Sequence, residues 1–349
     1  DQMQRRDLPA GWDRGLPSFA PDAKGIAGRD ASGQVLNVLA QNIPWLLGGS
    51  ADLGTSNKTT LKFAGAGDFE KGTPGGRNLH FGVREHAMAA TVNGLALSKL
   101  RAFGASFLIF SDYARPSIRL SAIMELPAIW VFTHDAMGDG EDGPTHQPVE
   151  QLVSLRAIPG LTVLRPADAN EVVEAYRYLM QLRHEPALLA LSRQALPTFD
   201  RSRYASAAGV ARGAYVMADP PRGAPEIILI ASGSEVALAV EAHETLTAEG
   251  IRSRLVSMPS WDIFEHQPQS YRDSVLPPAV TARIAIEQGS VLGWDRYVGA
   301  HGRIMGMKTF GASAPLKELL RRYGFEPERV VAAAREMIAS RRQSDGGRR

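Results

Sequence analysis

Residues 128–148 read Ala-Ile-Trp-Val-Phe-Thr-His-Asp-Ala-Met-Gly-Asp-Gly-Glu-Asp-Gly-Pro-Thr-His-Gln-Pro, a strand-like run followed by a polar loop. The apolar part, 128–132, predicts a buried strand that ends next to His134. Three glycines and a proline follow, and because they interrupt helix and strand alike, we expect a loop outside regular structure. Loops at the ends of sheet strands are where α/β proteins bind their ligands.

This loop concentrates ionisable side chains. An acidic turn is also typical of an ordinary solvated surface. Two histidines share the loop with Asp142, and the glycines give its backbone the freedom to gather them, which favours a functional site. The ionisable residues of the loop are His134, Asp135, Asp139, Glu141, Asp142 and His146.

Apolar segments alternate with segments of helical periodicity on both sides of the loop. This alternation predicts the α/β class, with two consecutive open, mostly parallel sheets and helices on both faces. The predicted strands are 45–48, 102–106, 128–132, 161–164 and 187–192, then 227–231, 253–258, 282–287 and 304–307. The predicted helices are 32–40, 85–100, 108–124, 149–155 and 170–182, then 235–248, 314–323 and 327–340.

The two blocks of alternation predict two domains. Ser234 is the expected N-cap of the first long helix in the second block. That block shows no crowd of His, Asp and Arg like the one in the loop. We predict a linker without structural elements at 1–25, a first domain at 26–195, a polar connector at 196–212, a second domain at 213–340 and a disordered tail at 341–349.

Composition narrows the class of protein. A chain of 349 residues is long enough for two domains with separate cores. A net charge of +2 argues against nucleic acid or a membrane surface as a partner, and no apolar run approaches the ~18 residues of a spanning helix. The absence of cysteine excludes disulfides, thiolate metal sites and a cysteine nucleophile. We expect a cytoplasmic protein and, because the chain begins at Asp1 rather than Met, part of something longer.

Two further motifs lie at predicted strand ends. Residues 48–57, Gly-Gly-Ser-Ala-Asp-Leu-Gly-Thr-Ser-Asn, can present backbone N–H groups and hydroxyls to a phosphate, although a self-satisfied turn has the same composition. Residues 81–86, Phe-Gly-Val-Arg-Glu-His, end a short strand and begin a helix. A glutamate such as Glu85 is also common at the start of a helix, because acidic side chains are stabilised near a helix N-terminus.

Aromatic and basic side chains add to this pattern. Phe107, Phe110 and Tyr113 recur every three residues, which predicts an aromatic stripe along a helix. Such a stripe is usually core, but the Tyr113 hydroxyl suits the lining of a flat heteroaromatic ring. Arg193 ends an apolar strand and Arg29 precedes the first helix, positions that suit phosphate recognition as well as plain solvation.

Taken together, these segments resemble transketolase over residues 5–340. The motifs that occur in that family's order and spacing are Gly-Gly-Ser-Ala-Asp-Leu, Phe-Gly-Val-Arg-Glu-His, the 107–115 segment, Gly-Glu-Asp-Gly-Pro-Thr-His-Gln-Pro and Leu-Ser-Arg-Gln. Each motif is weak alone, but their joint occurrence is specific. The resemblance covers the family's pyrimidine-binding and C-terminal domains and not its N-terminal diphosphate-binding domain.

The resemblance implies thiamine-diphosphate-dependent transfer of a two-carbon ketol unit. The donor would be a ketose phosphate such as xylulose 5-phosphate, and the acceptor an aldose phosphate such as ribose 5-phosphate or erythrose 4-phosphate. It further implies a homodimer that binds the aminopyrimidine in this chain and the diphosphate, with its Mg²⁺ or Ca²⁺ ion, in the diphosphate-binding domain of a partner chain. We expect no metal ligand in this chain.

The same resemblance implies a role for each matching residue. Glu85 matches the catalytic carboxyl that hydrogen-bonds the far ring nitrogen of the aminopyrimidine. Asp142 matches the residue that reads a substrate hydroxyl, and His146 matches a catalytic and substrate-binding residue near the reacting hydroxyls. Asp30 departs from the family, because a basic residue is expected there. The remaining matches are Asp52, Phe107, Phe110 and Tyr113 for the cofactor, and Arg29, Ser56, His134 and Arg193 for the sugar phosphate.

Other interpretations compete with this one. Gly138-Asp139-Gly140, with Asn170 further on, imitates the metal and diphosphate signature of thiamine-dependent enzymes, but it lies inside the loop already assigned and we expect a coincidence. The chain could instead be a deoxyxylulose-phosphate synthase or the β subunit of a 2-oxo-acid dehydrogenase, against which Leu-Ser-Arg-Gln and Thr-His-Gln-Pro argue. A non-catalytic assembly module is the third possibility, which the intact Glu85 disfavours.

Overall fold

The strands form two large sheets and one small one. The computed structural model describes residues 1–346, with side chains as far as Arg341. The strands are β1 (Asp22–Ala27), β2 (Leu46–Ser50), β3 (Asn78–His80), β4 (Arg101–Phe107), β5 (Ile129–Thr133), β6 (Thr162–Leu164), β7 (Ala187–Leu191), β8 (Ala195–Thr198), β9 (Tyr215–Ala218), β10 (Ile227–Ala231), β11 (Ser253–Ser257), β12 (Arg283–Ser290) and β13 (Arg303–Met307). The sheets have the orders β3-β2-β4-β5-β7-β6, β13-β12-β10-β11-β9 and β1-β8.

Helices connect the strands of both domains. The α-helices are α1 (Gln2–Arg5), α2 (Gly28–Asn42), α3 (Gly54–Asn57), α4 (Glu85–Leu97), α5 (Ser111–Ile123), α6 (Gln151–Arg156), α7 (Ala169–Gln181), α8 (Glu235–Ala248), α9 (Trp261–Glu265), α10 (Gln269–Val275), α11 (Asp295–Val298), α12 (Leu316–Tyr323) and α13 (Pro327–Gly346). Short 3₁₀ helices lie at Leu108–Phe110, Met137–Thr145 and Ala207–Arg212. In the described part of the chain, no helix is both long enough and apolar enough to cross a membrane.

The apolar run of β5 is buried because helices cover both faces of its sheet. Trp130 and Phe132 pack in one hydrophobic cluster with residues of α4, α5 and α6. Val131, which points the other way, packs in a second cluster with residues of α2 and α7. The strand pairs in parallel with β4 and β7 on its two sides. Strands buried on both faces read as continuous apolar runs, which is why this one was visible in the sequence.

The five-stranded sheet of the second domain is also mostly parallel, so the predicted fold class is confirmed. β10 lies at its centre between β11 and β12. The edge strand β9 pairs antiparallel with β11 and was not predicted. Ser234 precedes α8 as expected, but its hydroxyl bonds to the Glu235 carboxylate and does not cap a backbone N–H, so the predicted capping interaction is wrong.

The segments expected to lack structure contain short elements. Strand β1 lies partly in the predicted linker and pairs antiparallel with β8 in the predicted connector, which also holds a 3₁₀ helix. They were not predicted because each is only four to six residues long and lacks a sustained apolar run. Helix α13 is described as far as Gly346, past the expected start of the tail at 341, because Arg and Gln are good helix formers. Residues 347–349 lie outside the described residues.

Candidate active site

A buried carboxyl lies where β4 ends. Glu85 is the first residue of α4 and is only 6% exposed. The Ser106 hydroxyl, from β4, donates a hydrogen bond of 3.1 Å to Glu85 Oε1. This bond fixes one carboxylate oxygen and holds Glu85 at the end of β4, next to Ser106, which is one residue before Phe107 in the chain.

An aromatic wall continues from Phe107. Its ring stacks on Phe110 with centroids 5.8 Å apart and planes 13° apart, and Tyr113 lies 6.2 Å beyond Phe110. The His146 ring meets Phe110 edge-on at 5.6 Å. The three aromatic residues belong to a strand end, a 3₁₀ turn and α5, so the predicted stripe on one helix is wrong although the rings do gather.

His134 follows β5 in a strained conformation. Its φ is +61°, a left-handed value that few residues other than glycine adopt. The ring is 3% exposed, lies 3.6 Å from the Phe107 ring and hydrogen-bonds Thr133 Oγ1 through Nδ1 at 2.8 Å. Burial, reinforced by Arg29 and Arg193, lowers the pKa of His134 to about 3, so the imidazole is neutral near pH 7.

Two arginines converge on this loop. Arg29 lies in the first turn of α2 rather than before it, and its Nη1 donates 3.1 Å to the Ser56 carbonyl. Ser56 therefore contacts Arg29 through its backbone and not its hydroxyl. Arg193, after β7, donates from Nη1 to the Gly138 carbonyl at 3.2 Å. The residues expected to bind phosphate thus face one region.

Asp139 lies between these cations. Its carboxylate is 3.3 Å from Arg193 Nε and 3.5 Å from His134 Nε2. The other half of the imitated metal signature is elsewhere, because the Asn170 amide makes two hydrogen bonds with the Phe19 backbone. Among the side chains that the structure describes, residues 1–341, no group of three or more His, Asp or Glu is placed to hold a metal ion.

Two predicted acids lie apart from this cluster. Asp52 is exposed, has a φ of +62° and lines a cleft of about 170 Å³ together with Phe81 and Gly82. Asp142 is exposed on the loop. Asp30, which replaces an expected basic residue, lies 3.9 Å from both Arg29 and Lys58. Lys58 follows α3, so a basic side chain is still present next to Asp30.

The sequence analysis missed Asn57. This buried residue accepts from the Ser50 hydroxyl at 2.6 Å and donates to the Ser106 carbonyl and to Thr133 Oγ1. It therefore joins the ends of β2, β4 and β5, the strands that carry the cofactor and substrate candidates. The only available signal in the sequence was its amide side chain at the end of the 48–57 segment.

The loop after His134 is docked on the second domain. It forms 3₁₀ turns rather than the expected irregular structure, with kinks at Gly140 (φ +58°) and Gly143 (φ +76°) that glycine permits. Gln147 Nε2 donates to the carbonyls of Gly140 and Ala312, and the Ser313 hydroxyl donates to the Glu141 carbonyl.

Comparison with known proteins assigns the family. Residues 24–198 match the family "Transketolase, pyrimidine binding domain", and residues 213–326 match "Transketolase-like TK C-terminal domain". The chain is 52% identical to the transketolase of Geobacillus stearothermophilus over 332 residues, 95% of this chain and 49% of that protein. It is 50% identical to the transketolase of Bacillus subtilis over 95% of this chain and 50% of that protein. It thus spans about half the length of the first curated relatives it matches.

Solved structures agree with this assignment. Transketolase from Leishmania mexicana superposes with a TM-score of 0.90 at 43% identity, over 97% of this chain and 49% of that one. A structure titled "Split gene transketolase, inactive beta4 tetramer" superposes with a TM-score of 0.71 at 25% identity, over 90% of this chain and 99% of that one. These matches favour transketolase over the two other thiamine-dependent families considered. The chain belongs to the transketolase family.

Proposed function

We propose that this chain supplies the aminopyrimidine and substrate half of a thiamine-diphosphate-dependent transketolase. The observation that carries the proposal is the buried Glu85 carboxyl, held by Ser106 at the end of β4, where the aromatic wall of Phe107 and Phe110 begins. When bound, thiamine diphosphate supplies an acidic thiazolium carbon that carries the two-carbon ketol unit. Xylulose 5-phosphate is the proposed donor and ribose 5-phosphate or erythrose 4-phosphate the acceptor, as in the pentose phosphate pathway or the Calvin cycle.

The cofactor-binding residues fit an aminopyrimidine. Ser106 holds Glu85 Oε1, which leaves the second carboxylate oxygen to hydrogen-bond a ring nitrogen. Phe107 and Phe110 offer a stacking surface and exclude water, while Tyr113 extends it towards solvent. Asp52, beside the 81–86 motif in the same cleft, is proposed to contact the cofactor and the neighbouring subunit.

The second half of the site is proposed to bind the sugar phosphate. Arg29 and Arg193 supply positive charge, and neutral His134 can hydrogen-bond without adding a charge. His146 bonds Thr145 through Nδ1, so its Nε2 remains for a substrate hydroxyl near the aromatic wall. Asp142, exposed on the loop, is the proposed reader of a second hydroxyl.

Exposed apolar side chains support a dimer. Leu97 of α4, and Leu120 and Ile123 of α5, are about half exposed, on two helices that also carry cofactor residues. Exposed apolar patches mark interaction surfaces. We infer a homodimer in which the partner chain's diphosphate-binding domain brings Mg²⁺ or Ca²⁺, and a cytoplasmic location, which a chain without cysteine suits.

Titration of the purified 349-residue chain with thiamine diphosphate and Mg²⁺ tests this proposal. We expect weak binding and no ketol transfer by the chain alone, because charge-assisted diphosphate and metal contacts are the strong ones. Addition of a separately expressed diphosphate-binding domain of the family should restore both. Tight metal-dependent binding or turnover by the chain alone would overturn the half-site proposal. A stable but inactive complex would favour a non-catalytic assembly module.

The assigned role of Glu85 has its own test in the reconstituted enzyme. Glu85→Gln should reduce kcat by the ~10²–10⁴-fold typical of acid–base catalysis. Hydrogen–deuterium exchange at the cofactor's thiazolium carbon should slow in parallel. Unchanged exchange would remove Glu85 from this role, whatever happened to turnover.

A further inference from the structure

Asp139 is a buried carboxyl without hydrogen bonds. It is 3% exposed, and neither carboxylate oxygen has a hydrogen-bond partner within the described structure. A buried polar group in this state is costly, so such groups are uncommon in folded proteins and call for an explanation.

The neighbours of Asp139 are the groups proposed to bind the sugar phosphate. Arg193 Nε is 3.3 Å away and His134 Nε2 is 3.5 Å away. Arg29, from α2, also acts on the carboxylate electrostatically. From the loop itself, Asp135 and Asp142 oppose its ionisation. The groups nearest to the carboxylate are two arginines and a neutral histidine, and such a set does not suit a metal ion.

We propose, resting on the function proposed above, that Asp139 is an internal competitor for the substrate phosphate. Its carboxylate neutralises the Arg29 and Arg193 pair while no phosphate is present. When a phosphorylated sugar enters, the arginines turn to the phosphate and the carboxyl takes one proton from solvent. The residue therefore sets how strongly the site prefers phosphorylated over unphosphorylated sugars.

Near neutral pH, Asp139 can take up the proton that this exchange requires. Burial, opposed by Arg193 and Arg29 and assisted by Asp142 and Asp135, raises the pKa of Asp139 to about 7. A bound phosphate adds negative charge and withdraws the arginines, and both effects raise that pKa further. Binding of a sugar phosphate therefore takes up a proton and weakens as the pH rises above 7.

The first test compares donors in the assembled enzyme, with the diphosphate-binding domain present. Asp139→Asn and Asp139→Leu remove the competing charge. The KM for xylulose 5-phosphate should fall roughly tenfold, while the KM for L-erythrulose, which has no phosphate, should change less than about twofold. Glu141→Gln removes a charge from the exposed part of the same loop and is the matched control, which should leave both values unchanged.

The second test counts the protons taken up on binding and does not depend on turnover. Calorimetric titration of the wild-type enzyme with ribose 5-phosphate, in two buffers of different ionisation enthalpy at pH 7.5, should show more proton uptake than Asp139→Asn does. The phosphate's own ionisation is common to both proteins and cancels in this difference.

The outcomes separate this inference from the proposed function. A KM for xylulose 5-phosphate that rises or stays constant in both variants, or equal changes for both donors, would overturn the role of Asp139. Equal proton uptake in wild type and variant would do the same. A wild-type enzyme without ketol transfer from either donor would instead refute the proposed function.

Discussion

Two clusters of buried charge share the loop that follows β5, one through Asp135 and the other through Asp139, and they differ in how well their charges are partnered. The first is centred on Arg165, which is fully buried. It pairs with Asp135 at 2.8 Å, with the Glu235 carboxylate and with the Ser232 carbonyl. Arg156 nearby binds Glu287 with two hydrogen bonds of 2.8 Å. Asp135, Arg156 and Arg165 come from the first domain, and the other members come from the second.

The second cluster, around Asp139, has ion-pair distances but no hydrogen bonds to its carboxylate. The pKa values show the same contrast at Arg165 and Glu287, although burial raises the pKa of Glu235 in spite of its bond to Arg165. Burial alone would lower the pKa of Arg165, but Glu235 and Asp135 outweigh it and raise it. Burial likewise opposes ionisation of Glu287, but Arg156 lowers its pKa to about 2. At Asp139 the effect of burial is larger than that of Arg193 and Arg29, so the pKa is raised. The partnered cluster joins the two domains, whereas the unpartnered one is the cluster that we propose to meet the substrate phosphate.

The largest expected effect breaks the partnered cluster. Arg165→Met leaves the buried carboxylates of Asp135 and Glu235 without their shared cation, and removal of one member of a buried ion pair costs roughly 3–5 kcal/mol. Urea unfolding followed by circular dichroism measures the change. Arg335→Met, at the exposed pair with Glu249, is the control and should leave the midpoint unchanged. A similar small effect for both variants would show that the Arg165 cluster does not join the domains.

The next effect concerns the arginine that faces the ligand. Arg193→Ala in the assembled enzyme should raise the KM for phosphorylated donors about 10–100-fold, the value of a charged hydrogen bond, with little effect on hydroxypyruvate. Its side chain is 44% exposed, so we expect little loss of stability. Equal changes in KM for both donors would show that Arg193 has a structural role. The proposed difference in function between the two clusters would then be unsupported.

A smaller effect is expected for the exposed acid of the same loop. Asp142→Ala should reduce the preference for 2-hydroxylated over plain aldehydes by about tenfold, because an unpaired carboxylate rejects an acceptor that lacks the hydroxyl. The ratio of kcat/KM for the two aldehydes measures this. If the ratio is preserved, another residue reads the hydroxyl.

The sequence predicted elements best where an apolar run had clear ends. β10 and α8 match their expected bounds, because glycine and serine separate a continuous apolar strand from a helix. The short edge strands β1, β8 and β9 were missed, since each is only four to six residues long and is paired on one side. Phe107, Phe110 and Tyr113 were the expected group, but a strand end and a 3₁₀ turn gather them.

The site was predictable as far as local motifs extend. Glu85 and the arginines stood in recognisable segments, and the structure brings the arginines together around the loop. Asp139 was not predicted as a site residue, because the sequence shows only its likeness to a metal-binding signature. Which side chains surround it is visible only in the structure. The Arg165 cluster was invisible, because its partner Glu235 lies 70 residues further on and such pairing leaves no periodic trace.

The smallest expected effect tests the unpartnered cluster through stability rather than activity. The pKa of Asp139 is about 7 in the folded protein, above the ordinary value of ~3.9, so the folded state holds the proton more tightly. Its stabilising contribution is present at low pH and is lost as the pH rises through 7. His134 acts oppositely, since its lowered pKa costs stability below ~6.5, but wild type and Asp139→Asn share that term. Between pH 5 and 9 the free energy of unfolding of Asp139→Asn should therefore gain about 1 kcal/mol on wild type, a value reduced by solvent at half-exposed Arg193. Urea titrations at each pH measure it, and a pH-independent difference would mean that Asp139 finds partners in solution and that the two clusters are alike.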